Sequence, residues 1–382
     1  MTALDDGSLS PNDRALAVAD LARALVVDGT PDDARVLLDD AFVAASNTND
    51  TYMRAVNFVE ILQAQVDSAA HESAAARIDL ALATAREVSD SKQRADLVAK
   101  AAVLYAKLGY IEAANTAVAS IALVDASAAS YKARAIHDIA PELAAQGDIS
   151  AARELLKTMD FGLTYYKAAA SAEVSVFAFY TNDKTSASAL LSEAESIARA
   201  QENGYFIAGA LRRIADAYFD TGRSERSADL MRDAIAGARV APSLQEQARA
   251  LSRIATTLAD QREFADARSL VADAISLARR IDSPVLRGWC LYEIAGAAAF
   301  SGDNEAAQTL VSEIPHDLML SGKSVRAAAD RDVAWGLARH GNVQAALDHA
   351  ALIARVRERV QALSRIHRVA IDPDMKALPR YL

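Results

Sequence analysis

Asp216 and Asp220 stand four residues apart in RRIADAYFD. On a helix that spacing puts both carboxylates on one face, where a pair can share a proton and serve as general acid and base. The same spacing also makes an ordinary solvated face or groove contact, and in a chain rich in acids that is the commoner outcome. A second fragment, DLMLSGKS, ends in Gly322-Lys323-Ser324 and looks like the end of a phosphate-binding loop. Such a loop needs a glycine five residues before Gly322, where its backbone wraps the phosphates. Asp317 stands there, its charge repels phosphate, and no strand pattern surrounds it. A connector without nucleotide is therefore expected. The histidines His71, His137, His316, His340, His349 and His367 form no i, i+4 pair, so ordinary surface or groove positions are expected of them. The chain contains no His-Glu-x-x-His, Cys-x-x-Cys, Gly-x-Ser-x-Gly or Gly-x-Gly-x-x-Gly. Cys290 is the sole cysteine, which excludes an intrachain disulfide and fits a reducing compartment; it is expected to be buried and inert. The expectation is a chain with no enzymatic activity, cofactor or metal.

The elements that would position such residues are helices. The composition is 52% hydrophobic but 6% aromatic, with 15 glycines and 8 prolines. Alanine supplies much of the apolar share; it is the best helix former and lets helices approach closely. Three segments show a repeating unit of helix, turn and helix: 135–156, 210–231 and 289–311. Gly29, Gly109, Gly147, Gly222, Gly302 and Gly341 hold the same place in that unit, and their spacing gives a period of about 39 residues. The missing turn positions fall near Ser68, Asn182 and Arg262, of which asparagine best tolerates a left-handed backbone.

Other positions keep step. Seven residues before the turn stand Ala22, Ala102, Ala140, Ala215, Ala255, Ala295 and Ala334, preceded mostly by an aliphatic residue such as Ile214 or Ile254. Five residues after it stand Ala34, Ala114, Ala152, Ser227, Ala267, Ala307 and Ala346. Two antiparallel helices pack closely only where such small side chains meet. Thr30-Pro31, Ser283-Pro284 and the Ser243/Glu246 capping box mark helix starts. The reading is a tail at 1–11, a repeat domain at 12–370 and a tail at 371–382. The domain holds about nine helical hairpins to residue 353 and a capping helix near 355–369, whose ALSRIHRVA echoes ALSRIATTL at 250–258. The weakest unit is 50–88, and the longest connector is 314–323.

The small residue, the glycine seven later and the alanine five beyond resemble the tetratricopeptide repeat family, as in Ala140, Gly147 and Ala152. Leu25, Tyr105, Leu143, Tyr218 and Leu337, four before the turn, also fit. The period exceeds the family's 34 residues and the repeat-ending proline is mostly absent, both of which longer helices explain. HEAT-type repeats are the competing assignment. The resemblance implies an all-α, right-handed α–α superhelix whose first helices line a concave groove. Carried over by position, the groove residues are Phe179, Tyr180, Arg212, Asp216, Phe219, Arg249, Trp289, Tyr292, Phe300, Arg331, Trp335 and Arg339, with Asp260 beside them. Leu16, Ala19, Val26, Asp96 and Ala99 occupy the quieter N-terminal half. Aromatics and arginines dominate binding energy at interfaces. Trp289, Tyr292, Gly296 and Phe300 also recur at helical spacing, as a core stripe does.

The net charge of −10 argues against nucleic acid and anionic membrane as partners. Residues 1–50 carry 10 acids against 3 bases, and 351–382 carry 3 acids against 7 bases, a polarity that suits weak head-to-tail self-association. The start MTALDDGSLSPND has no apolar stretch of the kind a signal peptide needs, and no segment is apolar enough to span a membrane; a cytoplasmic location is expected. The leading expectation is a non-enzymatic adaptor or scaffold that holds a peptide or protein segment in the groove. The alternatives are a sensor for a signalling peptide or small molecule, a self-assembling scaffold, and an enzyme built on Asp216 and Asp220.

Overall fold

Left-handed backbone marks the turn of each hairpin whose turn is among the described residues, as the glycine spacing requires. In the computed structural model, Gly109, Gly147, Gly222, Gly302 and Gly341 have φ between 75° and 92°. Asn182 and Arg262 occupy the two glycine-free turns with φ of 65° and 66°. In the unit at 50–88 the left-handed residue is Ala69 (φ 56°), one place beyond the expected Ser68. Each turn closes by the same pair of hydrogen bonds: the Gly222 N–H donates to the Phe219 carbonyl and the Arg223 N–H to that of Tyr218. This is the helix-ending motif that a left-handed residue makes possible.

The described residues are 15–19, 21, 22, 25, 30–159, 164–320, 323–354 and 356–371. Gly29, Val26 and Gly322 lie outside them, with the expected tail at 1–11 and all of the expected tail at 371–382 except Ile371, which ends a helix. The chain forms two compact units, residues 1–200 and 201–382. In the first unit, helical residues at 15–19, 21, 22 and 25 precede Pro31–Ser46, and four further hairpins follow. These are Thr51–Asp67 with His71–Ala75 and Ile78–Arg86, Ser91–Lys107 with Ile111–Ala119, Ala126–Ala145 with Ile149–Lys157, and Thr164–Tyr180 with Lys184–Arg199. The second unit stacks Gly204–Asp220 with Ser224–Arg239, Leu244–Asp260 with Phe264–Arg279, Pro284–Phe300 with Asn304–Glu313, and Val325–Arg339 with Val343–Ala351. The helix Val356–Ile371 packs on the last of these.

The lengthened period has a direct cause. Hairpins such as Leu244–Asp260/Phe264–Arg279 pair a helix of 17 residues with one of 16. Their turn residues Asn182, Gly222, Arg262 and Gly302 recur every 40 residues. Every small residue expected at the helix crossings is buried: Ala102, Ala140, Ala215, Ala255, Ala295 and Ala334 before the turn are fully enclosed, as are Ala114, Ala152, Ala267, Ala307 and Ala346 after it. Within each unit the first helix of a hairpin also packs on the first helix of the next. One such contact is tight at Gly336, where an added Cβ would lie 2.4 Å from the Cβ of Ala299.

Caps start most helices. Asp90, Asp125, Asp148, Asp183 and Asp303 each accept a backbone N–H three residues on. Ser243 accepts from the Glu246 N–H at 3.2 Å, and its hydroxyl donates to the Glu246 carboxylate at 2.9 Å. Ser283 accepts from Leu286 at 3.4 Å. Thr30 departs from expectation: its hydroxyl donates back to the Leu25 carbonyl instead of capping the helix that Pro31 opens. The weak unit at 50–88 has a broken second helix, interrupted between Ala75 and Ile78. Although no strand pattern was expected there, the 314–323 connector and the adjoining Ser324 form a two-residue antiparallel ladder pairing Met319 with Ser324 and Leu320 with Lys323. Ser324, the end of the GKS fragment, caps the helix Val325–Arg339 by accepting from Ala327 at 3.2 Å. Among the described residues no helix is long and apolar enough to cross a membrane.

Candidate functional site

The first helices of the 201–382 unit carry a chain of polar pairs between neighbouring repeats. At its centre is Glu293, 2% exposed, on the helix Pro284–Phe300. Arg249 donates to its Oε1 at 2.9 and 3.0 Å, and Arg253 reaches the same carboxylate at 3.1 and 3.2 Å. Arg249 and Arg253 lie one turn apart on Leu244–Asp260, so both guanidiniums face one neighbour. Arg253 also donates to the Tyr205 hydroxyl at 2.8 Å. The Arg249 guanidinium lies 5.7 Å from the Trp289 ring and 6.0 Å from that of Tyr205. Burial pushes the Glu293 carboxyl up, but the two arginines outweigh it and hold the pKa at about 2. Burial, then the Glu293 charge, raise the neighbouring Cys290 thiol to about 12, so it stays protonated, and it is buried as expected.

The remaining expected residues take distinct places. Arg212 donates to the Thr257 hydroxyl at 2.9 Å, and Asp216 accepts from Gln261 at 3.3 Å. Asp216 is thus engaged in a repeat-to-repeat contact. Arg339 pairs with Asp260 two repeats away and lies over the Phe300 ring. Arg331 donates to Asp332 and to Gln361, each at 3.0 Å. Phe219 is 36% exposed. Trp289 is half-buried. In the 1–200 unit Phe179 is half-buried against Tyr180, whose ring is 69% exposed. Of the quieter set, Leu16, Ala19 and Ala99 are buried, while Asp96 pairs with Lys100 and Arg134.

Three expected groove aromatics are core residues and are closed to a partner: Tyr292 is 6% exposed, Trp335 2% and Phe300 1%. Phe300 and Trp335 meet edge to face at 5.0 Å. The physical reason is that each first helix is flanked by its own second helix and by other first helices, so its buried arc is wider than a single apolar stripe. The histidines also divide. His137 is buried between Asp138 at 2.7 Å and Glu173 at 3.5 Å. Burial alone would lower its pKa, but the two carboxylates raise it to about 10.

Carry-over by family position missed Glu293, Arg253 and Tyr205. A signal for the first two lay in the sequence. Nine residues before the successive left-handed turns stand Glu60, Lys100, Asp138, Glu173, Arg213, Arg253, Glu293 and Asp332, a charge in each repeat at a place where neighbouring helices meet. Arg365, the counterpart of Arg253 in the terminal helix, donates to Asp332 at 2.7 Å and lies over Trp335. Among the described residues no three His, Cys, Asp or Glu side chains are placed to hold a metal ion.

The tetratricopeptide repeat model matches residues 247–281, the hairpin that supplies Arg249 and Arg253. The matched repeat and the helical architecture make the chain a tetratricopeptide-like helical repeat protein. No curated protein matches it by sequence. Among solved structures it is similar to Ton1535 from Thermococcus onnurineus NA1, at 15% identity over 85% of this chain and 92% of that one, with a TM-score of 0.33. It is similar to aspartyl phosphate phosphatase F from Bacillus subtilis at 12% identity over 92% and 95%, with a TM-score of 0.30. A circular tandem repeat protein with novel repeat topology matches at 14% identity over 94% and 95%, with a TM-score of 0.25. Scores this low convey nothing about partner or activity.

Proposed function

We propose that this tetratricopeptide-like repeat protein is a non-catalytic adaptor that holds a peptide or protein segment along the first helices of its 201–382 unit. Repeats of this kind generally mediate protein–protein interaction. The observation that carries the finer reading is the half-buried Trp289 beside Arg249, whose guanidinium Glu293 already holds. Both side chains are ordered before a partner arrives, so binding loses little of their rotamer freedom. Tryptophan and arginine are the side chains that most often dominate interface energies. An apolar side chain of the segment would lie on the indole, and a carboxylate would meet the guanidinium edge. Phe219, 36% exposed on Gly204–Asp220, would extend the surface along the stack.

The test is affinity capture from native lysate with wild type and a Trp289→Ala/Phe219→Ala variant, after circular dichroism shows equal helicity. Both substitutions leave Glu293, Arg249, Arg253 and Tyr205 in place, although Trp289→Ala removes the ring beside Arg249. A defined polypeptide retained by wild type and lost by the variant is the expected result. Equal retention by both, or retention by neither, sinks the proposal.

A further inference from the structure

Between the helices Ile149–Lys157, Thr164–Tyr180 and Lys184–Arg199 of the 1–200 unit lies a cavity of about 40 Å³. Arg153 and Lys157 enter it from the first of these helices, Lys167 and Ser171 from the second, and Glu193 from the third. Leu156 and Leu190 form the apolar part of its wall. The pairs Arg153/Lys157 and Lys167/Ser171 are each four apart, so each sits on one helix face. Three cations face one carboxylate, leaving two positive charges in the lining.

These groups are poorly matched to one another. Ser171 is 1% exposed, and its hydroxyl has no hydrogen-bond partner. Buried hydroxyls nearly always have one. Lys167 stands 3.5 Å from Glu193, a long ion pair, and Glu193 is itself half-exposed. Lys157 pairs with Glu154 at 2.6 Å, both on the surface. Arg153 makes no close ion pair among the described residues, and its charge acts on the Asp183 carboxylate that caps Lys184–Arg199. An orphaned buried donor beside three converging cations is the arrangement that a multiply charged oxyanion completes.

We propose that this cavity binds a phosphoryl group, free or carried by a small phosphomonoester. A water needs roughly 10–15 Å³ of such space. The cavity therefore takes a few oxygen-sized groups, the scale of one phosphoryl and not of a nucleotide. A phosphoryl dianion would draw on Arg153, Lys157 and Lys167, in competition with Glu154 for the second and with Glu193 for the third. The Arg153 fork grips two of its oxygens, Lys157 and Lys167 supply point charges, and Ser171 donates its hydroxyl. Glu193 competes with the ligand for Lys167.

The experiment is calorimetric titration of the full chain with inorganic phosphate, against chloride at matched ionic strength. Saturable binding by phosphate alone is expected. Arg153→Gln and Lys167→Gln each weaken it at least tenfold, and Ser171→Ala weakens it severalfold. Ser171→Ala removes an oxygen that has no partner, so folding is kept. Glu193→Gln tightens binding, the opposite direction from the cation variants, which loss of packing would not produce. Lys92→Gln, an exposed lysine elsewhere in the unit, leaves it unchanged. Competition by glycerol phosphate assigns the group to a phosphomonoester, and failure to compete assigns it to free phosphate; either upholds the site. Equal heats with chloride, weakening by Glu193→Gln, or equal weakening by Lys92→Gln overturns it.

Discussion

Left-handed backbone is cheap for glycine and costs an L-residue about 1–2 kcal/mol. Ala69 carries that strain at φ 56° with an exposed side chain that contributes little else. Ala69→Gly is therefore expected to stabilise the protein by about 0.5–1 kcal/mol despite the greater freedom of the unfolded chain. Gly222→Ala should destabilise it by a similar amount. Urea midpoints measure both, and opposite signs are the expected result. Glu293 is the more consequential residue. Its removal leaves Arg249 and Arg253 half-buried without their shared carboxylate, and breaking a buried pair this way costs about 3–5 kcal/mol. Glu293→Ala should lower the tryptophan-detected urea midpoint far more than Glu154→Ala, whose carboxylate is on the surface. Equal effects would mean that the cluster is held by packing alone.

At the scale of the helix, small residues decide how closely first helices pack. Gly336 on Val325–Arg339 meets Ala299 on Pro284–Phe300 so tightly that an added Cβ would lie 2.4 Å from the alanine Cβ and 2.7 Å from its backbone carbon. The backbone cannot give way there without moving the helix. Gly336→Ala is expected to destabilise by about 1–3 kcal/mol, although alanine is the better helix former. A thermal melt checks this: an unchanged or raised Tm would show that the two helices separate without cost. Buried Phe300 and Trp335 beside this crossing would then be the first side chains to loosen.

At the scale of the molecule, the two units carry opposite pH sensitivities. In the 201–382 unit the Glu293 pKa is depressed from an ordinary 4.5 to about 2. Its contribution is complete above about pH 4.5 and is lost as pH falls toward 2. In the 1–200 unit the His137 pKa is raised from 6.5 to about 10. Its contribution is complete below about pH 6.5 and is lost as pH rises through 10. Both tryptophans, Trp289 and Trp335, lie in the 201–382 unit, so indole fluorescence follows that unit alone. Stability read by tryptophan should fall on acidification and be restored in slope by Glu293→Gln. The protection of amides in helix Ala126–Ala145, taken relative to their intrinsic base-catalysed exchange, should fall on the alkaline side, and His137→Gln should flatten that dependence. Parallel pH profiles in both readouts would refute the assignment.

The sequence alone determined the helices, the hairpin turns and the crossings. Each is a local demand: a left-handed residue must end a helix, and only small side chains let two helices close. That is why Asn182 and Arg262 could be located from glycine spacing, and why every crossing alanine is buried. The charge nine residues before each turn was equally present in the sequence, but its meaning depends on which neighbour faces it. Only the tertiary structure could decide that Arg249 and Arg253 share Glu293, or that Arg339 reaches past one repeat to Asp260. The same holds for Tyr292, Phe300 and Trp335. Helical periodicity shows which residues share a face, whereas whether that face meets solvent or another helix depends on how the repeats stack. The cavity at Arg153, Lys167 and Ser171 joins three helices, and no periodicity within one helix reports such a convergence.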